Sequence, residues 1–200
     1  MCIHLTFKYE AATQALNYLA GKSGGTLNKL KALKLIFFAD RYHVRKYGRP
    51  VTGDEYLAMQ YGPVASSVKD IAEMSSFLDP KVADYAKHFV MPVNKLTFRS
   101  IAAVDTDQLS ESDIEALDFA WNNFSGYGQF ELAELTHAYP EWKRHESALK
   151  HLAHVRMDYT DFLDDPPADC NPCFPLTADD KEVVADMLRE KSEIARLILG

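Results

Sequence analysis

The sequence predicts an α+β fold, a mostly helical single domain with a small two- or three-stranded sheet. Apolar residues recur at helical spacing along most of the chain, whereas only short segments alternate as a strand does. Of the 200 residues, 47% are apolar and 26% are charged, which is globular composition. A chain of this length buries about 70% of its unfolded surface, so it needs no disulfide bonds to fold.

Two helices are predicted in the first quarter of the chain. The first runs from Phe7 to Ala20, before a glycine-rich stretch. The second runs from an N-cap at Thr26 to about Tyr47 and is the predicted core of the domain. Its apolar stripe consists of Leu30, Leu33, Phe37, Val44 and Tyr47. Asp40 falls on that stripe, where an unpaired carboxylate would be costly, so we expect a structural hydrogen bond or ion pair for it.

The middle of the chain holds the predicted sheet. Residues 55–61 alternate as a short strand that Gly62 and Pro63 end. A helix is predicted from Val64 to Leu78, with Pro63 at its favoured first position. Residues 95–104 are the best candidate for a second strand, and residues 81–94 are ambiguous.

Further helices are predicted in the second half, among them a short one over residues 142–154. Ser110 to Asp113 have the shape of a capping box before a helix, and a shorter helix covers residues 129–137. Residues 164–175 contain four prolines and read as a loop, and a last helix runs from Thr177 to Leu199. The predicted organisation is therefore a domain over 1–157, a Pro-rich loop over 158–176 and a C-terminal amphipathic helix over 177–200.

Charge is unevenly distributed along this acidic chain, whose net charge is −7. Between residues 27 and 50, seven basic residues face a single acidic one: Lys29, Lys31, Lys34, Arg41, Arg45, Lys46 and Arg49. This basic segment is either a solvated helix face paired with acidic neighbours or a docking surface for an acidic or phosphate-bearing partner. The acidic remainder argues against a general nucleic-acid binder and suits a surface that meets a basic protein.

No sequence motif of catalysis is present, so we expect a protein that is not an enzyme and uses no cofactor. Asp40, His43 and His137 are the only polar residues that an enzyme hypothesis could use. One candidate zinc set exists, although we do not favour a metal site: His151, His154, Cys170 and Cys173.

The expected compartment is the cytoplasm. The longest run without charged residues, 56–68, contains several polar residues, so no membrane span is predicted. The first ten residues lack the pattern of a secretory signal, and three cysteines do not form a disulfide framework.

A stretch over residues 34–71 resembles the signature of the Panacea (SocA-like) antitoxin domain. It has a helix with KLIFFAD, a Gly-Arg-Pro turn at 48–50, Tyr-Gly-Pro-Val at 61–64 and serines at 66 and 67. A Leu-Thr-His element at 135–137 and Trp142 follow in the family's order, so the resemblance covers about residues 16–142 and assigns the domain over 1–157 to this family. The family-motif residues, which we interpret as structural, are Lys34, Asp40, Gly48, Pro50, Thr136, His137 and Trp142.

The resemblance implies an antitoxin of a toxin–antitoxin system, a family that also occurs in phages and prophages. The implied partner is a cognate protein toxin. Small alarmone-synthetase-type toxins are among those with which the family is paired. The alternatives are an adaptor that delivers the toxin to a cytosolic protease and a nucleic-acid-binding regulator that uses the basic segment. Nucleic acid and membrane are not expected partners of the leading hypothesis.

Two segments are candidates for contact with the toxin. One face of the last helix combines Val184, Met187, Ile194 and Ile198 above acidic neighbours, and the turn segment consists of Tyr61, Gly62 and Pro63. Each also has a structural interpretation. The helix face would pack on the domain's own core, and the turn would serve only to redirect the chain.

Overall fold

A single buried helix organises the molecule. The computed structural model describes the backbone of residues 3–199 and the side chains of residues 3–197. Helix α2 (Lys29–Tyr47) is almost wholly enclosed and contacts helices from both ends of the chain. Around it lie α1 (Tyr9–Lys22), α3 (Ser66–Glu73), α5 (Glu111–Phe124), α6 (Gln129–Thr136) and α8 (Ala178–Leu199). The short helices α4 (Pro80–Ala86) and α7 (Pro140–Lys143) complete the set described.

Two three-stranded antiparallel sheets accompany the helices, so the predicted α+β class is confirmed. One sheet has the order β1 (Thr26–Asn28), β5 (Thr97–Ser100), β4 (Val90–Pro92), with Leu27 opposite Phe98. The other has the order β3 (Gly62–Ala65), β2 (Tyr56–Met59), β6 (His154–Arg156), in which Ala58 lies opposite both Pro63 and Val155.

The core is built from aromatic rings on α2. Phe37 is fully buried and its ring meets those of Tyr56, Tyr139 and Phe162 edge to face, at centroid distances of 5.6–6.0 Å. Phe38 stacks on Phe124 of α5 at 3.8 Å. These contacts join α2 to elements from three parts of the chain. Each ring pair stabilises the fold beyond the contribution of its buried apolar area.

The start of α2 differs from the prediction. Residues 26–28 form strand β1, and Asn28 rather than Thr26 is the N-cap, since its side chain accepts a hydrogen bond from the Lys31 amide at 3.1 Å. Pairing with β5, about seventy residues later in the chain, holds Thr26 in an extended conformation that local sequence does not reveal.

The segment after Tyr61 also differs from the prediction. Residues 62–65 form strand β3 and the helix starts only at Ser66, so Pro63 does not begin a helix. Gly62 has a φ of +90°, which lets the chain reverse and pair β3 with β2. The ambiguous stretch 81–94 contains most of α4 and all of β4.

The Pro-rich segment 158–176 packs on the domain. It starts with a 3-10 helix, Tyr159–Leu163, whose Phe162 is fully buried against α2. Helix α8 follows and begins with a capping arrangement in which Thr177 and Asp180 exchange hydrogen bonds. No helix within the described residues is both long and apolar enough to cross a membrane.

Candidate partner-binding surface and its supporting network

A buried lysine holds the β2–β3 hairpin against α2. The Lys34 ammonium donates a 2.7 Å hydrogen bond to the Pro63 carbonyl, and Lys34 is fully buried. Burial lowers the pKa of Lys34 to about 7. A Cβ at Gly62 would lie 2.2 Å from the Thr136 hydroxyl and 3.0 Å from the Lys34 nitrogen. Only glycine fits there, so the hairpin, α2 and α6 meet in close contact.

A second contact supports the same hairpin from α7. The Trp142 indole N–H donates to the carbonyl of Met59 at 2.8 Å, and the ring of His137 stacks on Trp142 at 3.8 Å. Burial, ahead of the opposing charge of Glu134, lowers the pKa of His137. The motif residues Lys34, Gly62, Thr136, His137 and Trp142 therefore surround one hairpin, although they come from four separate elements.

The tip of that hairpin is an exposed aromatic surface. Tyr61 is 56% exposed and Phe130 at the start of α6 is 64% exposed, with their ring centroids 6.5 Å apart. Gly62 and Pro63 are buried, so Tyr61 is the exposed member of the predicted turn segment. We call Tyr61 and Phe130 the hairpin surface.

Asp40 anchors the loop between α2 and β2. One carboxylate oxygen accepts the amide hydrogens of Val51 and Thr52 at 2.7 and 3.1 Å. The other accepts the hydroxyls of Thr52 and Tyr56 at 2.6 and 2.9 Å. Burial is the larger influence and raises the pKa of Asp40 to about 6, although each of these hydrogen bonds opposes the rise.

The two remaining motif residues shape the turn that follows α2. Gly48 ends the helix in the left-handed conformation, at a φ of +64°, and a Cβ there would lie 2.7 Å from the Met187 methyl carbon of α8. Pro50 is buried two residues later. This turn is therefore a point of contact between the motif segment and the C-terminal helix.

These motif residues coincide with a known family. The family model for the antitoxin SocA-like Panacea domain matches residues 33–143, more than half of the chain. The chain belongs to the SocA-like Panacea antitoxin family. Searches of curated proteins and of solved structures found no match to it.

The Panacea match ends before α8, whose two faces differ. Val184, Leu188, Ser192 and Ala195 are buried and face the domain. The predicted contact face included Val184, which is only 7% exposed, so this residue packs inward instead. Met187 and Ile194 are 36% and 49% exposed, and the Ile198 side chain lies outside the described residues.

The solvent side of α8 carries its own apolar stripe. Val183 is 59% exposed and Leu197 is 83% exposed, and together with Met187 and Ile194 they follow helical spacing. We call Val183, Met187, Ile194 and Leu197 the α8 stripe. Helical periodicity in the sequence did not identify Val183 and Leu197, because each stands next to another apolar residue that fits an apolar stripe equally well.

Two arginines of α2 bind the Pro-rich segment. Arg41 is fully buried, pairs with the buried Glu141 at 2.6 Å and donates to the carbonyl of Asp164 at 2.6 Å. Arg45, also buried, donates to the carbonyls of Leu163 and Phe174 at 2.8 and 2.6 Å. The sequence patterns did not reveal this role. The one signal is that Arg41 and Arg45 follow Phe37 at intervals of four residues, which places them on the same side of the helix as Phe37.

The basic segment is therefore not an open cationic surface. Lys29, Lys34, Arg41 and Arg45 are buried, and Lys46 and Arg49 form ion pairs with Glu115 and Asp113. The two interpretations from sequence, a solvated helix face and a docking surface, are therefore both corrected in part, because four of the seven basic side chains are buried. Phosphate backbones need several solvent-facing cations, so this segment offers little to the nucleic-acid alternative.

The candidate catalytic residues do not form a common site. The His43 Nδ1–H donates to the Arg49 carbonyl at 2.6 Å, and Nε2 lies 3.0 Å from the Ser112 hydroxyl. Burial lowers the pKa of His43 to about 4. Asp40 binds the 51–56 loop and His137 stacks on Trp142, so each side chain belongs to a separate network.

The four residues of the candidate zinc set do not form one cluster. Nowhere within the described residues do three or more His, Cys, Asp or Glu side chains come together to hold a metal ion. His151 and His154 are exposed, whereas Cys173 is fully buried near Tyr139 and Arg41, and Cys170 is half-buried. Burial raises the pKa of Cys173 to about 11.

Proposed function

We propose that this chain neutralises a cognate protein toxin by binding it directly, without catalysis, and that the α8 stripe is the contact surface. Family membership supports the antitoxin role. The observation that supports the surface is the row of exposed apolar side chains on a helix whose opposite face is already buried. Met187 also packs on the Gly48 turn, but Val183, Ile194 and Leu197 are 49–83% exposed, and leaving such side chains in water is unfavourable unless a partner covers them.

The dimensions of the stripe suit a protein partner. From Val183 to Leu197 the helix rises about 21 Å, long enough to lie along a groove of another protein. The inward face of α8, with Leu188 at 0% exposure, packs on the domain and holds the helix there, while the outer face stays accessible to a partner. The stripe is thus presented on a rigid support, which lowers the entropic cost of binding.

Charge defines the chemistry of the partner. Acidic side chains are exposed around the stripe: Asp179, Glu182, Asp186, Glu190 and Glu193. The whole chain carries a net charge of −7. A toxin with a basic rim around an apolar groove matches this pattern, and opposite charges speed and orient the encounter. A toxin that binds nucleic acid would carry such a basic rim, because Lys and Arg side chains neutralise the phosphates.

The position of α8 outside residues 33–143 supports the same assignment. The family resemblance implies that different members bind unrelated toxins, so a contact built outside the shared segment can change while the shared core stays constant. Neutralisation then follows when the bound antitoxin covers the toxin's substrate site or holds the toxin in an inactive conformation.

The test is co-expression with the product of the neighbouring gene, in a host whose growth that product arrests. Wild type should restore growth and co-purify with the toxin, whereas Ile194→Glu/Leu197→Glu should lose both. Phe77→Glu is the matched control, since Phe77 is 90% exposed in the α3–α4 connection, away from the stripe. Loss of binding in a folded Tyr61→Glu/Phe130→Glu variant, with the stripe variant unaffected, would move the contact to the hairpin surface.

A reconstituted assay separates blocking from delivery to a protease. Purified antitoxin should inhibit purified toxin at a stoichiometric ratio with no protease present. Inhibition that requires a cytosolic protease would establish the adaptor alternative instead. The binding partner in both mechanisms is the toxin, so the Ile194→Glu/Leu197→Glu variant should fail in either assay.

A further inference from the structure

A small cavity lies where the N-terminal segment, the turn after α2 and helix α8 meet. Its volume is about 210 Å³. Among its seven lining residues are three cations, Lys8, Arg49 and Lys191, and no acidic residue. A concentration of positive charge around one cavity is unexpected in a chain whose net charge is −7.

The three cations differ in what they bind. The Arg49 guanidinium is oriented by Asp113 at 2.9 Å and by the Ser110 hydroxyl at 3.1 Å. The ammonium groups of Lys8 and Lys191 make no hydrogen bond or ion pair with any side chain or backbone group that the structure describes. Two lysines with no partner among the described residues and one fixed guanidinium therefore line the cavity.

Mutual repulsion acts on these groups in the absence of a ligand. Loss of solvent around its ammonium, and then the charge of Arg49, lowers the pKa of Lys8, while Asp113 and Asp40 act in the opposite direction and Lys191 adds to the lowering. An anion placed between the cations would remove this repulsion. Lys8 is exposed as a whole residue, so a ligand can reach it from solvent.

The wall of the cavity is fixed by close backbone packing. Gly53 has a φ of +65°, and a Cβ there would lie 2.3 Å from the Thr6 carbonyl oxygen. The Lys8 amide donates to the carbonyl of Thr52 at 2.9 Å. These contacts hold the N-terminal segment beside the turn that contains Arg49 and thus keep Lys8 at the cavity.

We propose that this cavity binds the phosphate group of a small molecule between Lys8, Arg49 and Lys191. A carboxylate has one negative charge, whereas a phosphate has nearly two at neutral pH and three acceptor oxygens, so it can satisfy all three cations. Arginine supplies a planar fork for phosphate oxygens and the lysines supply mobile point charges. The cavity is smaller than the 300–1,000 Å³ typical of drug-sized ligands, which suits a compact anion.

Two of the three cations lie outside the segment that this chain shares with its family. Arg49 lies in the matched segment, but Lys8 and Lys191 lie outside residues 33–143. A bound phosphate would bridge the N-terminal segment and α8 and so hold the helix that carries the α8 stripe. Phosphate binding does not depend on the proposed toxin contact, because the two surfaces use different side chains.

The experiment uses the full chain and measures binding by calorimetry, at constant ionic strength, of inorganic phosphate, pyrophosphate and ATP. We expect saturable one-to-one binding and a rise in the melting temperature with ligand concentration. Saturation by inorganic phosphate would identify the ion itself as sufficient. Saturation by ATP alone would show that the remainder of the nucleotide contributes.

Lys8→Met/Lys191→Met should weaken binding about tenfold or more, since each removes a charge-assisted hydrogen bond. Lys95→Met/Lys150→Met is the matched control, because both lysines are exposed, lie away from the cavity and change the net charge equally. The control should bind as wild type does. Absence of saturable binding to wild type, or an equal loss in both double variants, would overturn the proposal.

Discussion

The ammonium group of Lys34 lies 2.7 Å from the carbonyl oxygen of Pro63, and both residues are buried. This hydrogen bond joins the central helix to strand β3 at the point where Gly62 and Thr136 leave no room for another atom. A lysine in the family motif is thus a link within the interior, although in sequence it reads as part of a basic surface.

Lys34→Met should abolish a pH dependence of stability. Burial lowers the pKa of Lys34 in the folded protein from 10.5 to about 7. Between those values the unfolded chain binds more protons, so wild-type stability rises with pH, and below pH 7 the penalty is constant. From pH 7 to pH 9 wild type should gain roughly 2–3 kcal/mol relative to Lys34→Met in urea unfolding.

The control for Lys34 is Lys95→Met, an exposed position. Its stability should follow the wild-type pH profile in the same urea experiment. Parallel curves for wild type and Lys34→Met would show that Lys34 does not titrate in this range.

Gly62→Ala should destabilise the protein by more than about 2 kcal/mol. The φ of +90° disfavours a side chain, and the added Cβ would lie 2.2 Å from the Thr136 hydroxyl. Gly21→Ala, within α1 and with nothing within 4 Å of its Cβ position, should instead stabilise by roughly 0.5–1 kcal/mol. Thermal unfolding of both variants distinguishes the two glycines, and equal shifts would contradict the tight contact.

Asp40→Ala should cost about 3 kcal/mol or more, because it leaves four buried donors without an acceptor. Asp40→Asn should cost less than half as much, since its amide retains an oxygen and the two hydroxyls can reorient. Chemical denaturation at pH 7 compares the two. Similar losses in both variants would mean that the carboxylate charge, rather than the hydrogen bonds, holds the loop.

The same pair of variants tests the titration of Asp40. Its pKa rises from 3.8 to about 6 on folding, so the folded state binds more protons between those values. Stability conferred by the protonated form is complete below pH 4 and is lost as the pH rises through 6. Wild type should therefore lose roughly 2 kcal/mol relative to Asp40→Asn between pH 4 and pH 7.

Arg45→Leu should release the Pro-rich segment. Arg45 donates to the carbonyls of Leu163 and Phe174 and pairs with Asp165, contacts that span most of residues 163–174. Cleavage by proteinase K in this segment should accelerate about tenfold or more, because local opening becomes easier. Arg144→Leu is the control. Arg144 contacts Asp161 and Asp164 at the surface, where ion pairs contribute little, so its cleavage rate should stay near wild type.

Phe37→Ala should cost about 3–5 kcal/mol, since the ring is fully buried among aromatic neighbours on four sides. Phe77→Ala, at a position that is 90% exposed, should change stability by less than about 0.5 kcal/mol. Guanidinium unfolding measures both. A loss below about 1 kcal/mol at Phe37 would mean that the α2 stripe is not the core.

Local patterns in the sequence were sufficient for several features of the fold. The 3.6-residue period predicted α2 and its buried Phe37, and the capping box at Ser110 and Asp113 is present as predicted. The order of motifs from Lys34 to Trp142 identified the family that the match over residues 33–143 shows. These features depend on residues close together in the chain or on a motif order, and both are visible in one sequence.

Tertiary contacts decided the rest. The apolar stretch after Tyr61 satisfies a helix or a strand, and pairing of β2 with both β3 and β6 selects the strand. In the sequence, Arg41 and Arg45 look like surface charges. In the fold, residues 162–174 cover them, and their guanidinium groups donate to backbone carbonyls of that segment. On α8, adjacent apolar pairs such as Val183 and Val184 fit either face. Only packing against the domain buries Val184 and leaves Val183 in solvent, because burial depends on which neighbour arrives from elsewhere in the chain.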